Sequence, residues 1–178
     1  MKFKKSIFSA LATLFLVSPV FAELVFPSLS YRTGAYGPNG IPFADGYEDY
    51  FTLMNERDGG IGGEPVRVVK CETAYNTEKG VECYESTKGE GSLAYQPLST
   101  GITYQLIPKA SADNIPILSS GYGRTSAKNG KIFKWVFNFP GTYWDAASIA
   151  TKHAMDMSGG SLDGKKIVMY PSDSIQIQ

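Results

Sequence analysis

Short apolar runs alternate with longer segments of helical spacing along this chain. Leu24-Val25-Phe26 opens a run to about Ser30, and Val66–Val69, Leu93–Tyr95, Ile115–Leu118, Ile132–Phe137 and Lys165–Tyr170 follow it. These six runs have the length and the branched or aromatic content of strands. Between the first two, Phe43, Tyr47, Tyr50, Phe51 and Met54 recur at helical spacing, and Gly59-Gly60 stops the helix. Thr77 is placed to cap a helix that includes Val81 and Tyr84. A third helix is expected at about Gly101–Ala112, where Pro108 should kink or shorten it. Tyr143, Ala147, Ala150, Ala154 and Met157 mark a face of a fourth, ended by Gly159-Gly160. Strands and helices at these intervals predict an α/β fold, an open parallel sheet flanked by helices.

The loops change the picture from fold to chemistry. Pro97-Leu98-Ser99-Thr100-Gly101 follows the third apolar run, and Ser119-Ser120-Gly121-Tyr122-Gly123 the fourth. Loops at the carboxyl ends of parallel strands are where open α/β sheets bind ligands. Hydroxyls, backbone N–H groups and an aromatic ring gathered there describe a small-molecule site. Thr100 or Gly101 also opens a helix, whose free N–H groups and dipole favour a negative group.

Composition narrows the setting. Lys2, Lys4 and Lys5, the apolar stretch Ile7–Val17 and the small-residue pattern Val20-Phe21-Ala22 form a secretory signal, with cleavage expected after Ala22. The apolar stretch is too short to span a bilayer comfortably, and no other is long enough. Removing residues 1–22 takes away three lysines and no acid. About 156 residues remain, with 14 basic against 17 acidic side chains and a net charge of about −3. A nucleic-acid partner, which needs a basic face, is not expected. Cys71 and Cys83 are the only cysteines. In an oxidising compartment they could form a bridge, or remain two buried thiols. With one distant histidine they make no zinc spacing, so no metal is expected.

Catalytic patterns are weak. Gly121-x-Gly123 follows an apolar run, but Ser126 stands at the third glycine position of a dinucleotide loop. The Gly59–Gly63 cluster lies at a helix end, the wrong side for a phosphate loop. His153 falls on the polar side of its helix, and no nucleophile elbow or carboxylate pair stands out. The chain is not read as an enzyme, and no cofactor is expected.

Four loops in order carry a family likeness. They are YRTGAYGPNGIPFADGYEDYFTLMNERDGGIGG after the first strand, PLSTGITYQLIPKA after the third, IPILSSGYGRT at the fourth and FNFPGTYW at the fifth. The run Ser28–Tyr170 resembles the periplasmic solute-binding proteins of branched-chain amino acid type ABC transporters, a branch of the type I periplasmic binding fold. The resemblance implies two α/β lobes with a solute trapped between them. Residues 23–140 would be the amino-terminal lobe and 141–178 the beginning of a second, crossing over near Pro140. The remainder of that lobe is expected to be missing, as in a fragment or frameshifted gene, so that this form binds weakly or not at all.

The resemblance also assigns roles. Ser99, Thr100 and Gly101 match the serine-rich loop after the third strand, and Ser120, Gly121 and Tyr122 the largely backbone contacts after the fourth. Tyr36 and Tyr143 are candidate cleft walls. The implied function is the exported, periplasmic substrate-binding component of an ABC importer for an amino acid, amide, urea or related solute. Its partners would be that solute and, through the permease, the permease and ATPase subunits. No membrane span would remain after signal cleavage. A ligand-sensing receptor domain and a non-functional remnant are the rival readings.

Overall fold

A computed structural model describes residues 23–120 and 123–168. The expected signal lies outside them, as do Gly121 and Tyr122. Strand β1 (Leu24–Ser30) pairs in parallel with β2 (Val66–Glu72), with Leu24 opposite Val66 and Ser30 opposite Glu72. Strand β3 (Ile117–Ser120) pairs in parallel with β4 (Val136–Phe139), with Ile117 opposite Val136. The two pairs are joined by residues 92–95. The Leu93 N–H donates to the Val25 carbonyl at 3.0 Å, and the Leu118 N–H donates to the Tyr95 carbonyl at 2.8 Å.

The expected third strand is therefore only a pair of isolated parallel bridges, Val25 with Ser92 and Tyr95 with Ile117. Left-handed Gly91 (φ 84°) precedes the segment and Pro97, which has no N–H to donate, follows it. Too few residues lie between them for a regular ladder. Spatial order is β2, β1, the 92–95 segment, β3, β4. The order reverses beside β1, and such a switch point opens a crevice at the carboxyl edge of the sheet.

Helix α1 (Gly37–Asp58) begins earlier than its apolar spacing suggested, because Pro38 suits a first helical turn. Its packed face also differs from expectation. Gly37, Gly40 and Ala44 are buried, whereas Phe43 and Tyr50 remain 43% and 57% exposed. Phe51 keeps a contact with the sheet by stacking on Phe26 at 5.0 Å. Helix α2 (Thr77–Thr87) is capped by Asn76, one residue before the expected Thr77, through Oδ1 accepting from the Lys79 N–H at 2.9 Å. Helix α3 (Thr100–Asp113) runs through Pro108 without stopping. It buries Ile102, Thr103, Leu106, Ile107 and Ala110, and that burial outweighs one absent N–H.

The fifth run is displaced. Ile132 and Phe133 form a turn, both N–H groups donating to the Asn129 carbonyl, and the strand starts only at Val136. Helix α4 (Tyr143–Met157) forms as expected, but none of its residues is buried. Its predicted apolar face, Tyr143 to Met157, lies open. Lys165–Val168 are not a strand, and the rest of that sixth run lies outside the described residues.

The main core joins the sheet to α2 and α3 through Leu29, Cys83, Tyr84, Tyr95, Ile102, Leu106, Ala110 and Ile117. Two buried tyrosines bring polar groups into it, and both are satisfied. The Tyr84 hydroxyl donates to Asp113 at 2.8 Å, and Tyr95 and Thr87 hydroxyls share a bond of 2.6 Å. Burial, reinforced at Tyr84 by the Asp113 carboxylate, pushes both phenols above their ordinary range. A disulfide joins Cys71 on β2 to Cys83 on α2, with Cα atoms 5.7 Å apart.

Candidate functional site

The loops at the carboxyl edge meet one another in a row. Ala74 and Tyr75, after β2, adopt left-handed backbone (φ 48° and 58°), which turns the Tyr75 ring towards the β1 loop. Tyr36 packs against Tyr75 at 4.5 Å, and Tyr31 meets the same ring edge-on at 4.8 Å. Next to them α2 and α3 begin together. A Cβ on Gly101 would lie 2.7 Å from the Thr77 Oγ1, so a side chain there would have to displace Thr77.

Ser99 and Thr100 are almost wholly buried, at 1% and 4% exposure. Ser99 is the N-cap: its Oγ accepts from the Ile102 N–H, and its carbonyl accepts from the Thr103 hydroxyl at 2.7 Å. The N–H groups of Thr100 and Gly101, at the opening of α3, have no partner within the helix, as at any helix start. The Thr100 hydroxyl shares a hydrogen bond with the Tyr143 hydroxyl, brought across by α4.

Three further contacts hold the first turn of α4. The Tyr143 N–H donates to the Gly123 carbonyl at 3.3 Å. Thr142 and Asp145 form a capping box, in which the Thr142 N–H donates to the Asp145 carboxylate at 2.8 Å. Lys128 pairs with Asp145 at 2.6 Å. The Lys128 ammonium and the Thr142 donors hold the Asp145 carboxyl down at about 2.

Beside Tyr143 lies an open cavity of about 420 Å³ between α3, the loop after β3 and α4. The Arg124 guanidinium stacks over the Tyr104 ring at 5.4 Å. Burial pushes the Tyr104 phenol up, Tyr143 adds to the rise and the nearby Arg124 cation opposes it.

The structure thus brings Ser99, Thr100, Gly101 and Tyr143 to one place. Ser120 ends β3, half-buried and opposite Phe139. Tyr36 belongs to the aromatic stack on Tyr75, which faces the opening of α2. Sequence reasoning did not select Tyr75, Tyr104 or Trp144. Tyr75 carried no local signal, because its orientation follows from two left-handed residues in succession. Among the described residues no group of three or more His, Cys, Asp or Glu side chains is placed to hold a metal. No helix among them is long and apolar enough to cross a membrane.

Residues 24–176 match the family described as periplasmic binding protein. No curated protein matches the chain. Among solved structures, one described as an ABC transporter permease from the Pseudomonas fluorescens group is 37% identical, with a TM-score of 0.69. The match covers 78% of this chain and 34% of that one. A branched-chain amino acid ABC transporter from Thermus thermophilus with bound valine is 18% identical, with a TM-score of 0.68, over 76% of this chain and 35% of that one. A solute-binding protein of an ABC transporter from R. palustris, in complex with benzoate, is 21% identical with a TM-score of 0.62, over 78% and 38%. The last two likenesses concern the fold. The chain spans little more than a third of the length of these structures.

Proposed function

The chain belongs to the periplasmic binding protein family, and from that premise we propose that it is the exported, substrate-binding component of an ABC importer for a small polar solute. The observation that carries this reading is the meeting of the α3 amino terminus with Tyr143. Two free N–H groups, the Thr100 hydroxyl and a phenol converge there at the carboxyl edge of the sheet. One hydroxyl proton is used in the Thr100–Tyr143 bond, and the two N–H groups with the remaining hydroxyl suit a carboxylate or an amide carbonyl. Residues 23–140 act as the first lobe, and 141–178 begin the second. Ser120, Gly121 and Tyr122 complete the grip from the loop after β3, with Tyr36 at the wall.

The ligand classes are those the family resemblance implies: amino acids, amides, urea and related compounds. The relatives described with valine and with benzoate place solutes of differing chemistry on the same fold. The role is binding rather than turnover, and delivery to a permease and its ATPase in the periplasm completes the reading. Saturation-transfer NMR with valine, urea, acetamide and benzoate at millimolar concentration tests it. We expect at least one to bind the 178-residue chain weakly and to lose its signal in Thr100→Ala. No binding across the panel would sink the reading.

A further inference from the structure

Each of the chain's four arginines has a distinct partner. Arg32, Arg57 and Arg67 all face carboxylates. Arg124 does not: among the described residues no carboxylate lies within ion-pair distance of it. Instead its Nε donates to the Ser126 hydroxyl at 2.7 Å and its guanidinium carbon lies over the Tyr104 ring. Those two contacts fix the orientation of the guanidinium while leaving its two terminal nitrogens outside the Ser126 bond. A guanidinium held in this way presents two parallel donors, the geometry that a carboxylate accepts in bidentate fashion.

The surroundings define what else the ligand must be. Tyr104, Arg124, Thr125, Ser126, Tyr143 and Trp144 line the open cavity of about 420 Å³, a size that suits a small ligand. With Gly123 the lining comes to seven residues, three of them aromatic, and Trp144 is 74% exposed. The Thr125 hydroxyl is buried and has no partner among the described residues, a polar group in the same wall. Among the described residues no Asp or Glu lines this cavity, so an α-ammonium group would meet no counter-charge from them.

We infer that the cavity between α3 and α4 takes a flat, amino-free carboxylate, with Arg124 pairing its carboxyl group and Tyr104, Tyr143 and Trp144 holding its planar body. This rests on the solute-binding reading above and narrows it from small polar solutes to carboxylates. The cavity is open on one side and encloses a ligand incompletely, so binding is expected to be weak.

The test is a comparison of benzoate, benzamide and phenylalanine on the 178-residue chain by saturation-transfer NMR, with Arg124→Gln, Arg124→Lys and Tyr104→Leu beside the parent. Arg124 is exposed, and unchanged circular dichroism would verify that its variants fold. Benzoate is expected to bind at least about fivefold more tightly than the other two. Arg124→Gln should weaken benzoate at least about fivefold without changing benzamide, Arg124→Lys should restore part of the loss, and Tyr104→Leu should weaken benzoate as well. Equal binding of benzoate and benzamide, no benzoate binding, or indifference of benzoate to Arg124→Gln would each overturn the inference. Valine or urea binding that depends on Thr100 and ignores Arg124 would do so while leaving the solute-binding reading intact. Silence of every solute would remove both.

Discussion

Thr100 and Tyr143, 43 residues apart in the chain, share a hydrogen bond through their side-chain hydroxyls. It ties the buried opening of α3 to the exposed α4. A neutral hydrogen bond of this kind contributes about 1 kcal/mol. Tyr143→Phe and Thr100→Val should each destabilise the chain by about that much, and the double variant by less than the sum of the two. Urea unfolding of all four proteins measures the coupling. Strict additivity would mean that the pair contributes nothing together.

The capping residue of α4 gives a pH signature. Asp145 is held at about 2 by Lys128 and Thr142, below the usual aspartate value of about 3.9. Because its folded value is depressed, its stabilising effect is complete above the unfolded value and is lost as pH falls through the folded one. Thermal unfolding of the parent and Asp145→Asn should differ by a constant amount above about pH 5, narrow as pH falls, and converge only below about pH 2. A difference that persisted unchanged at pH 2 would contradict the assignment.

Closing a loop of 12 residues, the Cys71–Cys83 bridge restricts the unfolded chain. Loop-closure entropy assigns it roughly 3 kcal/mol. Reduction with dithiothreitol, or the Cys71→Ala/Cys83→Ala pair, should lower stability by a similar amount. Mass spectrometry before and after alkylation checks the redox state. An oxidised and a reduced protein with the same unfolding midpoint would contradict this.

Helices α2 and α3 approach so closely that a Cβ on Gly80 would lie within 2.5 Å of the Ile102 side chain. Gly80→Ala should therefore destabilise by about 1–3 kcal/mol, despite the better helix propensity of alanine. Shortening the opposing side chain, in Gly80→Ala/Ile102→Val, should recover part of the loss. If Gly80→Ala proved stabilising on its own, the close approach would be wrong.

Much of this architecture was legible in the residues themselves. Alternating strands and helices, the glycine stop at Gly59 and the opening of α3 at Ser99-Thr100 are local signals, set by turn chemistry and capping. The losses have a common physical cause, that local spacing does not say what a residue will meet. Phe43 and Tyr50 have helical periodicity, yet Gly40 and Ala44 form the packed face, where a Cβ on Gly40 would collide with the Tyr31 carbonyl oxygen and ring. Leu93–Tyr95 has strand composition, but Gly91 and Pro97 restrict it to bridges. The Tyr143 partner, far away in sequence, had no local trace. The loop resemblance supplied Tyr143 as a wall residue, and only the approach of the first turn of α4 to the opening of α3 put it on Thr100.

Helix α4 has 15 residues and is held at its first turn, with no side chain buried along its length. It is a lever. A helix of that length measures about 22 Å, so a rotation of about 10° at the Thr142 end displaces the Met157 end by about 4 Å. Any rotation at the Thr142 pivot is therefore amplified along the helix into a displacement that is largest at Met157.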